Sequence, residues 1–133
     1  TVKVDPDAVL LPDRLRNHLA PHRDANTYIV NCDKPMMKPM MFGALEAFSK
    51  GAMQAYYGGE SRCRTELQWA SWGEDVYMAK CMDHLGVGAV VDLGLVFDGV
   101  CRGSVNCQDV SVAAFHPFKN AGAWMACWRS AKR

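Results

Sequence analysis

The sequence predicts one mixed α/β domain that spans residues 1–133. Segments typical of strands and of helices follow one another in the order β, α, β, α, α, β, α. Half of the residues are hydrophobic, a proportion that is ordinary for a globular protein with a core. No linker, internal repeat or low-complexity stretch divides the chain, so we treat it as a single unit.

The first third of the chain predicts two strands around a short helix. "TVKV" alternates and is β-branched, as strands are. Pro12 favours the first helical position, and the helix is expected to run to Leu19, before Pro21. "NTYIVNC" reads as the second strand. "DKPMMKPMM" is expected to be a loop, because its two prolines bar a regular helix or a central strand.

The remaining two thirds predict three helices and one strand region. "GALEAFSKGAMQAYYGG", residues 43–59, has apolar residues at helical spacing and two glycines at its end, so we expect a helix there. Residues 60–73 are expected to be a loop, and residues 74–87 the next helix. "AVVDLGLVF" indicates one long strand or a pair of strands. A loop-rich segment follows, and the chain finishes with a helix rich in tryptophan and basic residues.

Charge and hydropathy exclude two classes of partner. The net charge is only +1, whereas a domain that binds nucleic acid as its main partner usually carries a clear basic excess. No apolar stretch approaches the roughly 18 residues that span a bilayer. The best candidate, "LGVGAVVDLGLVF", is short and contains Asp92. We therefore predict neither a nucleic-acid partner nor a membrane span in this chain.

The cysteine content indicates an oxidising compartment. There are six cysteines, an even number at a density typical of disulfide-bonded proteins. None forms a CxxC pair, so a zinc ribbon is not favoured. Cys101 and Cys107 close a short loop and could be joined to each other, although the sequence does not choose among the many pairings. Buried free thiols are the alternative interpretation, because free cysteine is among the most buried residue types.

The first candidate site is "KVDPDAV", near the start of the chain. Asp5 and Asp7 flank Pro6 directly after a predicted strand, so both carboxylates could reach one hard divalent cation. Mg²⁺ and Mn²⁺ prefer carboxylate and water oxygens, and Mg²⁺ often also takes the phosphates of a substrate. The alternative is an acidic turn, because aspartate and proline favour turns for local reasons.

The second candidate site is the acidic start of the helix over residues 74–87. Glu74 and Asp75 could be there to complement the free N–H groups and dipole of the helix. Alternatively, one of them is a general base beside the aromatic segment "WASWG", whose rings could form the floor of a pocket.

The segment "AAFHPFK" supplies a third candidate. His116 lies between aromatic residues and a proline, which indicates a constrained and partly buried imidazole, either a hydrogen-bonded core group or a ligand. Lys119 could face an anion, or could be a lysine without a partner at a helix start. The tryptophans could stack on a sugar or base, or anchor the core. They are Trp69, Trp72, Trp124 and Trp128.

These segments occur in an order that resembles a known enzyme group. In chain order, the four segments are "KVDPDAVLLPDRL", "FGALEAFSKGAMQAY", "GEDVYMAKCMDHLGV" and "FHPFK". They resemble, in the same order, the DxD, glycine-rich, "EDV" and "FHP" segments of a group of inverting glycosyltransferases. That group contains the fringe-like and core-1 β1,3-galactosyltransferases. The resemblance covers residues 1 to 119 at low identity. Its most specific parts are the "EDV" helix and the "FHP" segment, in the right order after DxD.

The resemblance implies a glycosyltransferase-A fold, a mixed sheet flanked by helices, of which residues 1–133 would be the C-terminal half. It implies a hexosyltransferase that moves a sugar from a nucleotide-sugar to a hydroxyl of a glycan or protein acceptor. The cofactor would be Mn²⁺ or Mg²⁺. The location would be the secretory pathway, in the Golgi lumen.

Residue roles follow from the matching positions. The metal ligands would be Asp5, Asp7 and His116. The catalytic base would be Asp75, with Glu74 as the alternate. The residues that the resemblance implies on the acceptor side are Trp69, Trp72 and Gly73. Lys119 would lie near the phosphates of the donor.

Other features favour a second interpretation, a catalytically inactive subunit with a structural or binding role in a larger assembly, such as an organellar one. Only four residues precede the DxD segment, where the fold is expected to have its nucleotide-binding half. Ala44 and Glu46 stand where the group has small or aromatic residues. A partner chain is then expected beside the strand at residues 1–4, since an unpaired edge is a liability.

Overall fold

The computed structural model describes all residues, Thr1–Arg133, and is a mixed α/β fold. Its helices are α1 Pro12–Leu19, α2 Lys50–Glu66, α3 Glu74–His84, α4 Gly99–Arg102 and α5 Ala121–Ala131. Its strands are β1 Val2–Val4, β2 Val9–Leu10, β3 Thr27–Val30, β4 Leu45–Ala47, β5 Gly88–Val91, β6 Val96–Asp98 and β7 Ala114–His116. Two 3₁₀ turns, Ala20–His22 and Trp69–Ser71, complete the regular structure.

The strands form three small sheets with mixed strand directions. β1 pairs antiparallel with β4, with Lys3 opposite Glu46. β3 pairs parallel with β5. β7 lies between β2 and β6, antiparallel to the first and parallel to the second. An isolated bridge between Tyr28 and Phe48 connects the β3–β5 ladder to the end of β4. Mixed sheets flanked by helices are therefore confirmed.

Three groups of buried side chains hold the ladders and helices together. The first lies between α1 and the strands β3, β4, β6 and β7, and includes Leu15, Leu45 and Leu95. The second packs α2 and α3 on β3 through residues such as Met82. The third packs α5 on β2 and β7 around Phe115. Together they fix the ends of β1, β6 and β7 relative to one another.

Several predicted elements are confirmed by the structure. α1 occupies Pro12–Leu19 as expected, and "TVKV" and "NTYIVNC" contain β1 and β3. α3 begins at Glu74, and Gly86 adopts the positive φ of 77° that lets the chain leave the helix. "AVVDLGLVF" does contain two strands, β5 and β6, which belong to different ladders.

The prediction of one helix over residues 43–59 is wrong at both ends. Leu45–Ala47 pairs with β1 as a strand, and the helix starts only after Ser49, whose hydroxyl accepts a hydrogen bond from the Ala52 amide. The helix also continues through Gly59 to Glu66, into the predicted loop. Gly59 does not end the helix because its bare backbone packs against Leu85, the residue that follows α3.

The segment after β6 contains more structure than its loop-like sequence predicts. α4 is a single short helix, and β7 follows from Ala114 to His116. The short strand β2 was not predicted either. Each of these strands is two or three residues long, so neither shows a readable alternation.

All six cysteines form disulfides, and no cysteine is free. The pairs are Cys32–Cys101, Cys63–Cys81 and Cys107–Cys127. The suggested Cys101–Cys107 bridge is thus wrong. Cys101 of α4 is bonded to Cys32, and Cys107, in the loop after α4, is bonded to Cys127 of α5. The alternative of buried free thiols is also wrong. Three disulfides are compatible with a secretory or extracellular location.

The structure contains no helix long and apolar enough to cross a membrane, as the hydropathy of the sequence indicated.

Candidate metal and acid–base site

The fold brings Asp5, Asp7 and His116 together from opposite ends of the chain. Pairing of β1 with β4 places Asp5, whose amide donates a hydrogen bond of 3.1 Å to the Ala44 carbonyl. A turn then carries the chain through Asp7 into β2, which pairs with β7 and so lies beside His116. The Phe118 amide donates a hydrogen bond of 2.8 Å to the Asp7 carbonyl, which ties the two segments again just beyond His116.

The three side chains present ligand atoms to one another at short range. Their ligand atoms all lie within 4.8 Å of one another. The Nε2 atom of His116 is 3.3 Å from Oδ1 of Asp7. The imidazole is buried, whereas the two carboxylates are half-buried and reachable from solvent. The arrangement is open on the side of the aspartates.

A buried carboxylate behind His116 fixes the orientation of the ring. Asp98, 0% exposed, lies opposite His116 in the β6–β7 register and bonds its Nδ1 through Oδ2. The other oxygen of Asp98 accepts a hydrogen bond of 2.6 Å from the Val100 amide at the start of α4. Phe42 also meets the imidazole edge-on, with ring centroids 6.1 Å apart. These contacts direct Nε2 toward Asp7.

A positive charge between Nε2 and Asp7 would stabilise their contact. With the Nδ1 proton donated to Asp98, a neutral imidazole would point its Nε2 lone pair at the lone pairs of a carboxylate 3.3 Å away. Either a second proton on the ring or a metal cation between the two groups removes that repulsion. A carboxylate behind a histidine is also the usual partner of a metal-bound imidazole, because it fixes the tautomer and raises the basicity of the ligand.

The chemistry and spacing of these donors fit a small divalent cation. Two carboxylates and an imidazole are donors that could hold a divalent cation, and the donor set alone does not select one metal. Two ligands on opposite sides of an ion, each about 2.1 Å away, lie roughly 4 Å apart. The three ligand atoms lie within 4.8 Å of one another, so the side chains would draw together slightly around an ion. Three protein ligands would leave coordination positions for a substrate.

Two lysines neutralise the aspartates in the structure. Lys119 forms an ion pair with Oδ2 of Asp7, and Lys3 lies 3.0 Å from Oδ1 of Asp5. The hydrogen bond from Lys119, with the charges of His116 and Lys119, holds the pKa of Asp7 below its usual value even though partial burial acts the other way. The same pairing with Asp7 raises the pKa of Lys119. Any cation that binds here competes with these ammonium groups.

Asp75 lies at the start of α3, held between two glycines. Its Oδ2 accepts a hydrogen bond of 3.0 Å from the Gly43 amide, and its Oδ1 accepts one of 2.8 Å from the Val76 amide. A Cβ on Gly43 would lie 3.3 Å from Oδ2, and one on Gly73 would lie 3.1 Å from Oδ1. The predicted acceptor-side residue Gly73 is therefore in contact with the predicted base.

Glu74 and the buried Glu46 share Lys3 as their partner. The Lys3 ammonium is 3.2 Å from Oε2 of Glu74 and 3.1 Å from Oε1 of Glu46. Burial, helped by the negative charge of Glu74, raises the pKa of Glu46 to about 7 despite Lys3. Partial burial acts to lower the pKa of Lys3, but its bonds to Asp5, Glu46 and Glu74 outweigh that effect and raise it.

The predicted aromatic residues lie before α3. Trp69 is 45% exposed, donates a hydrogen bond of 3.1 Å to the Arg64 carbonyl and packs edge-on against Tyr77. Trp72 is half-buried. Both belong to the chain segment that leads to Gly73 and Asp75.

An open cleft of about 410 Å³ lies on the other side, next to Asp7 and Lys119, with Phe118 and Trp124 in its walls. A larger cavity of about 590 Å³ lies beneath α1, between Leu15 and Phe48, and includes none of the predicted site residues. The site therefore has room for a ligand, but it does not coincide with the larger of these two cavities.

Sequence reasoning missed three residues that shape the site, namely Asp98, Lys3 and Glu46. "FDG" reads as a strand end followed by a turn, and only the parallel register of β6 with β7 shows that Asp98 faces His116. Lys3 and Glu46 face each other across the β1–β4 ladder. An acidic residue in an otherwise apolar run, "GALEAF", was the one available signal for Glu46.

No protein-family model matches this chain, and no curated protein matches it either.

Proposed function

We propose that this chain is a metal-dependent inverting glycosyltransferase that transfers a hexosyl group from a nucleotide-sugar to a hydroxyl of a glycan or protein acceptor. In this proposal it forms the C-terminal half of a glycosyltransferase-A-like fold and works in the Golgi lumen. The observation that carries the proposal is the convergence of Asp5, Asp7 and His116, with the buried Asp98 behind the imidazole. The resemblance implied Asp5, Asp7 and His116 as a set, whereas Asp98 was not predicted.

The residues around the cluster have separate tasks in this proposal. Asp5, Asp7 and His116 would hold Mn²⁺ or Mg²⁺, which when bound supplies Lewis-acid stabilisation of a leaving diphosphate. Lys119 has an exposed ammonium and, once released from Asp7, would pair with a phosphate oxygen. The cleft beside Asp7 provides space for that part of the donor.

Asp75 would accept the proton of the attacking hydroxyl. Its carboxylate is half-buried and is held by the amides of Gly43 and Val76, which orient both oxygens and leave lone pairs for an acceptor. Trp69 and Trp72 belong to the chain segment that leads to Asp75 and would contact the acceptor. Glu74 is less suited to this task, because Lys3 already binds it.

The second candidate is a catalytically inactive glycosyltransferase-like subunit with a binding or structural role. One observation favours it: Lys3 and Lys119 occupy Asp5 and Asp7, so the aspartates are neutralised without any metal. Such ion pairs would suffice for a purely structural cluster. In that role the chain would bind a partner chain beside the edge strand β1 instead of a sugar donor and an acceptor.

Calorimetric titration with Mn²⁺, followed by a UDP-sugar, separates the two candidates. The titration is run on this chain and, where the gene encodes a longer protein, on that protein, each with Asp7→Asn as a paired variant. Enzyme function predicts heat from Mn²⁺ that the variant loses, and donor binding that depends on the metal. Absence of heat with both ligands from every form would refute nucleotide-sugar chemistry and favour the structural role.

A further inference from the structure

A single residue, Lys3, contacts the parts of the molecule that carry the two proposed chemical tasks. Its ammonium lies 3.0 Å from the proposed metal ligand Asp5 and 2.8 Å from the Gly43 carbonyl. Gly43 in turn donates its amide hydrogen to Asp75, the proposed base, over 3.0 Å. Lys3 therefore binds the carbonyl of Gly43, and Asp75 binds its amide.

The position of Gly43 leaves little freedom to Asp75. A Cβ on Gly43 would lie 3.3 Å from the Asp75 carboxylate oxygen and 3.4 Å from its Cβ, closer than ordinary van der Waals contact for the first of these. The backbone of Gly43 can approach the carboxylate because it has no side chain. A shift of the Gly43 segment would thus move the Asp75 carboxylate with it.

Other contacts hold the Gly43 segment on its remaining sides. The side chain of the buried Asn31 accepts a hydrogen bond of 2.8 Å from the Phe42 amide and donates hydrogen bonds to the carbonyls of Phe42 and Leu45. The Asp5 amide is bonded to the carbonyl of the neighbouring Ala44, and Lys3 is the residue whose side chain contacts both the Gly43 carbonyl and the Asp5 carboxylate. Glu46, opposite Lys3 in the β1–β4 ladder, forms an ion pair with the Lys3 ammonium and helps to hold it in this position.

We infer that Lys3 is a positioning residue that couples the metal-binding carboxylate Asp5 to the base Asp75 through Gly43. Lys3 would set the separation between the leaving group and the attacking hydroxyl without touching either of them. The inference rests on the proposed glycosyltransferase function. The contact from Lys3 through Gly43 to Asp75 is itself open to a test that requires no activity.

The first test measures the chemical shift and the hydrogen exchange rate of the Gly43 amide by NMR in a ¹⁵N-labelled chain. Lys3→Met removes the ammonium, so the Gly43 amide resonance should shift and its hydrogen exchange should accelerate at least about tenfold, as its hydrogen bond to Asp75 loosens. Asp75→Asn should shift the same resonance, and Lys80→Met, a change at an exposed lysine of α3, should leave it unchanged. An unshifted Gly43 amide in Lys3→Met would overturn the inference.

The second test reads transfer kinetics, with acceptor and nucleotide-sugar, in the same variants. Lys3→Met should lower kcat about 10- to 100-fold, as a small misplacement of reacting groups does, with little change in the KM for the acceptor. Lys3→Arg should restore part of kcat. Gly43→Ala, which leaves Lys3 intact but displaces the Asp75 carboxylate, should lower kcat in the same way.

The two tests keep the inference distinct from the function on which it rests. If the unaltered protein transfers no sugar, the proposed function fails, and the Gly43 amide still decides whether Lys3 positions Asp75. If transfer occurs and Lys3→Met behaves like Lys80→Met, the function stands and the inference is wrong.

Discussion

Replacement of Asp98 by asparagine tests whether the buried carboxylate prepares His116 for a metal. The introduced amide can keep the hydrogen bond from Val100 through its oxygen, so α4 should stay capped. Its NH₂ group, however, would donate to Nδ1 of His116 and move the imidazole proton to Nε2. A neutral imidazole with a proton on Nε2 has no lone pair to offer beside Asp7.

The size of the effect follows from the position of Asp98 as an outer partner of the ligand. Loss of such a partner costs about 10- to 100-fold in metal affinity, or about 1.4 to 2.8 kcal/mol. Loss of a charge-assisted hydrogen bond should also lower the free energy of unfolding by about 1.5 to 3 kcal/mol. Mn²⁺ affinity is measured by electron paramagnetic resonance of the free ion, and stability by urea denaturation.

The chain provides a matched control in Asp92. Its Oδ1 accepts a hydrogen bond of 3.0 Å from the Gly94 amide two residues on, and its Oδ2 lies 2.7 Å from Nδ1 of His18. The Nε2 of His18 is bonded to the Ser111 carbonyl rather than directed at a carboxylate. Asp92→Asn should therefore lower stability without changing Mn²⁺ affinity. Equal affinities for Asp98→Asn and the unaltered chain would refute the reasoning about His116.

Two further predictions concern stability. Gly58→Ala should stabilise α2 by up to about 1 kcal/mol, because nothing lies within 4 Å of the added Cβ. Gly59→Ala should instead destabilise the protein by about 1 to 3 kcal/mol, because its Cβ would lie 2.3 Å from Leu85. Melting temperatures that shift in the same direction for both variants would contradict this packing. The raised pKa of Glu46, about 7, means that the folded chain keeps a proton that the unfolded chain loses, so the free energy of unfolding should fall by roughly 3 kcal/mol as pH rises from about 4.5 to 7. Glu46→Gln should lack that fall in denaturant titrations across this pH range, and parallel pH profiles for the two proteins would contradict it.

Local signals in the sequence predict the elements that are determined locally. Pro12 and Pro21 bracket α1, and the acidic pair at the start of α3 with Gly86 at its end brackets that helix. The helix prediction was wrong at Leu45–Ala47, because the apolar residues of this segment fit a helix and a strand equally well. The deciding factor was its pairing with β1, more than forty residues away in the chain, which local periodicity does not encode.

The same distinction applies to the site. Asp5, Asp7 and His116 could be proposed as a set from the resemblance to the glycosyltransferase group, and the fold brings them together. Asp98 and Lys3 could not be found in this way, since their roles depend on which residue faces which across a ladder. Register is set by the whole fold, so the residues that orient a site are harder to predict than those that form it.

Paramagnetic line broadening by Mn²⁺ tests the central claim most directly, because it locates the ion as well as detecting it. Substoichiometric Mn²⁺ added to the ¹⁵N-labelled chain should selectively broaden the amide resonances of Asp5, Asp7, Ala8, His116, Phe118 and Lys119, and Asp7→Asn should abolish the effect. Amides near His18 should stay sharp. Broadening centred away from these residues and their neighbours Ala44 and Asp98, or none at concentrations that saturate ordinary manganese sites, would contradict a metal site at Asp5, Asp7 and His116.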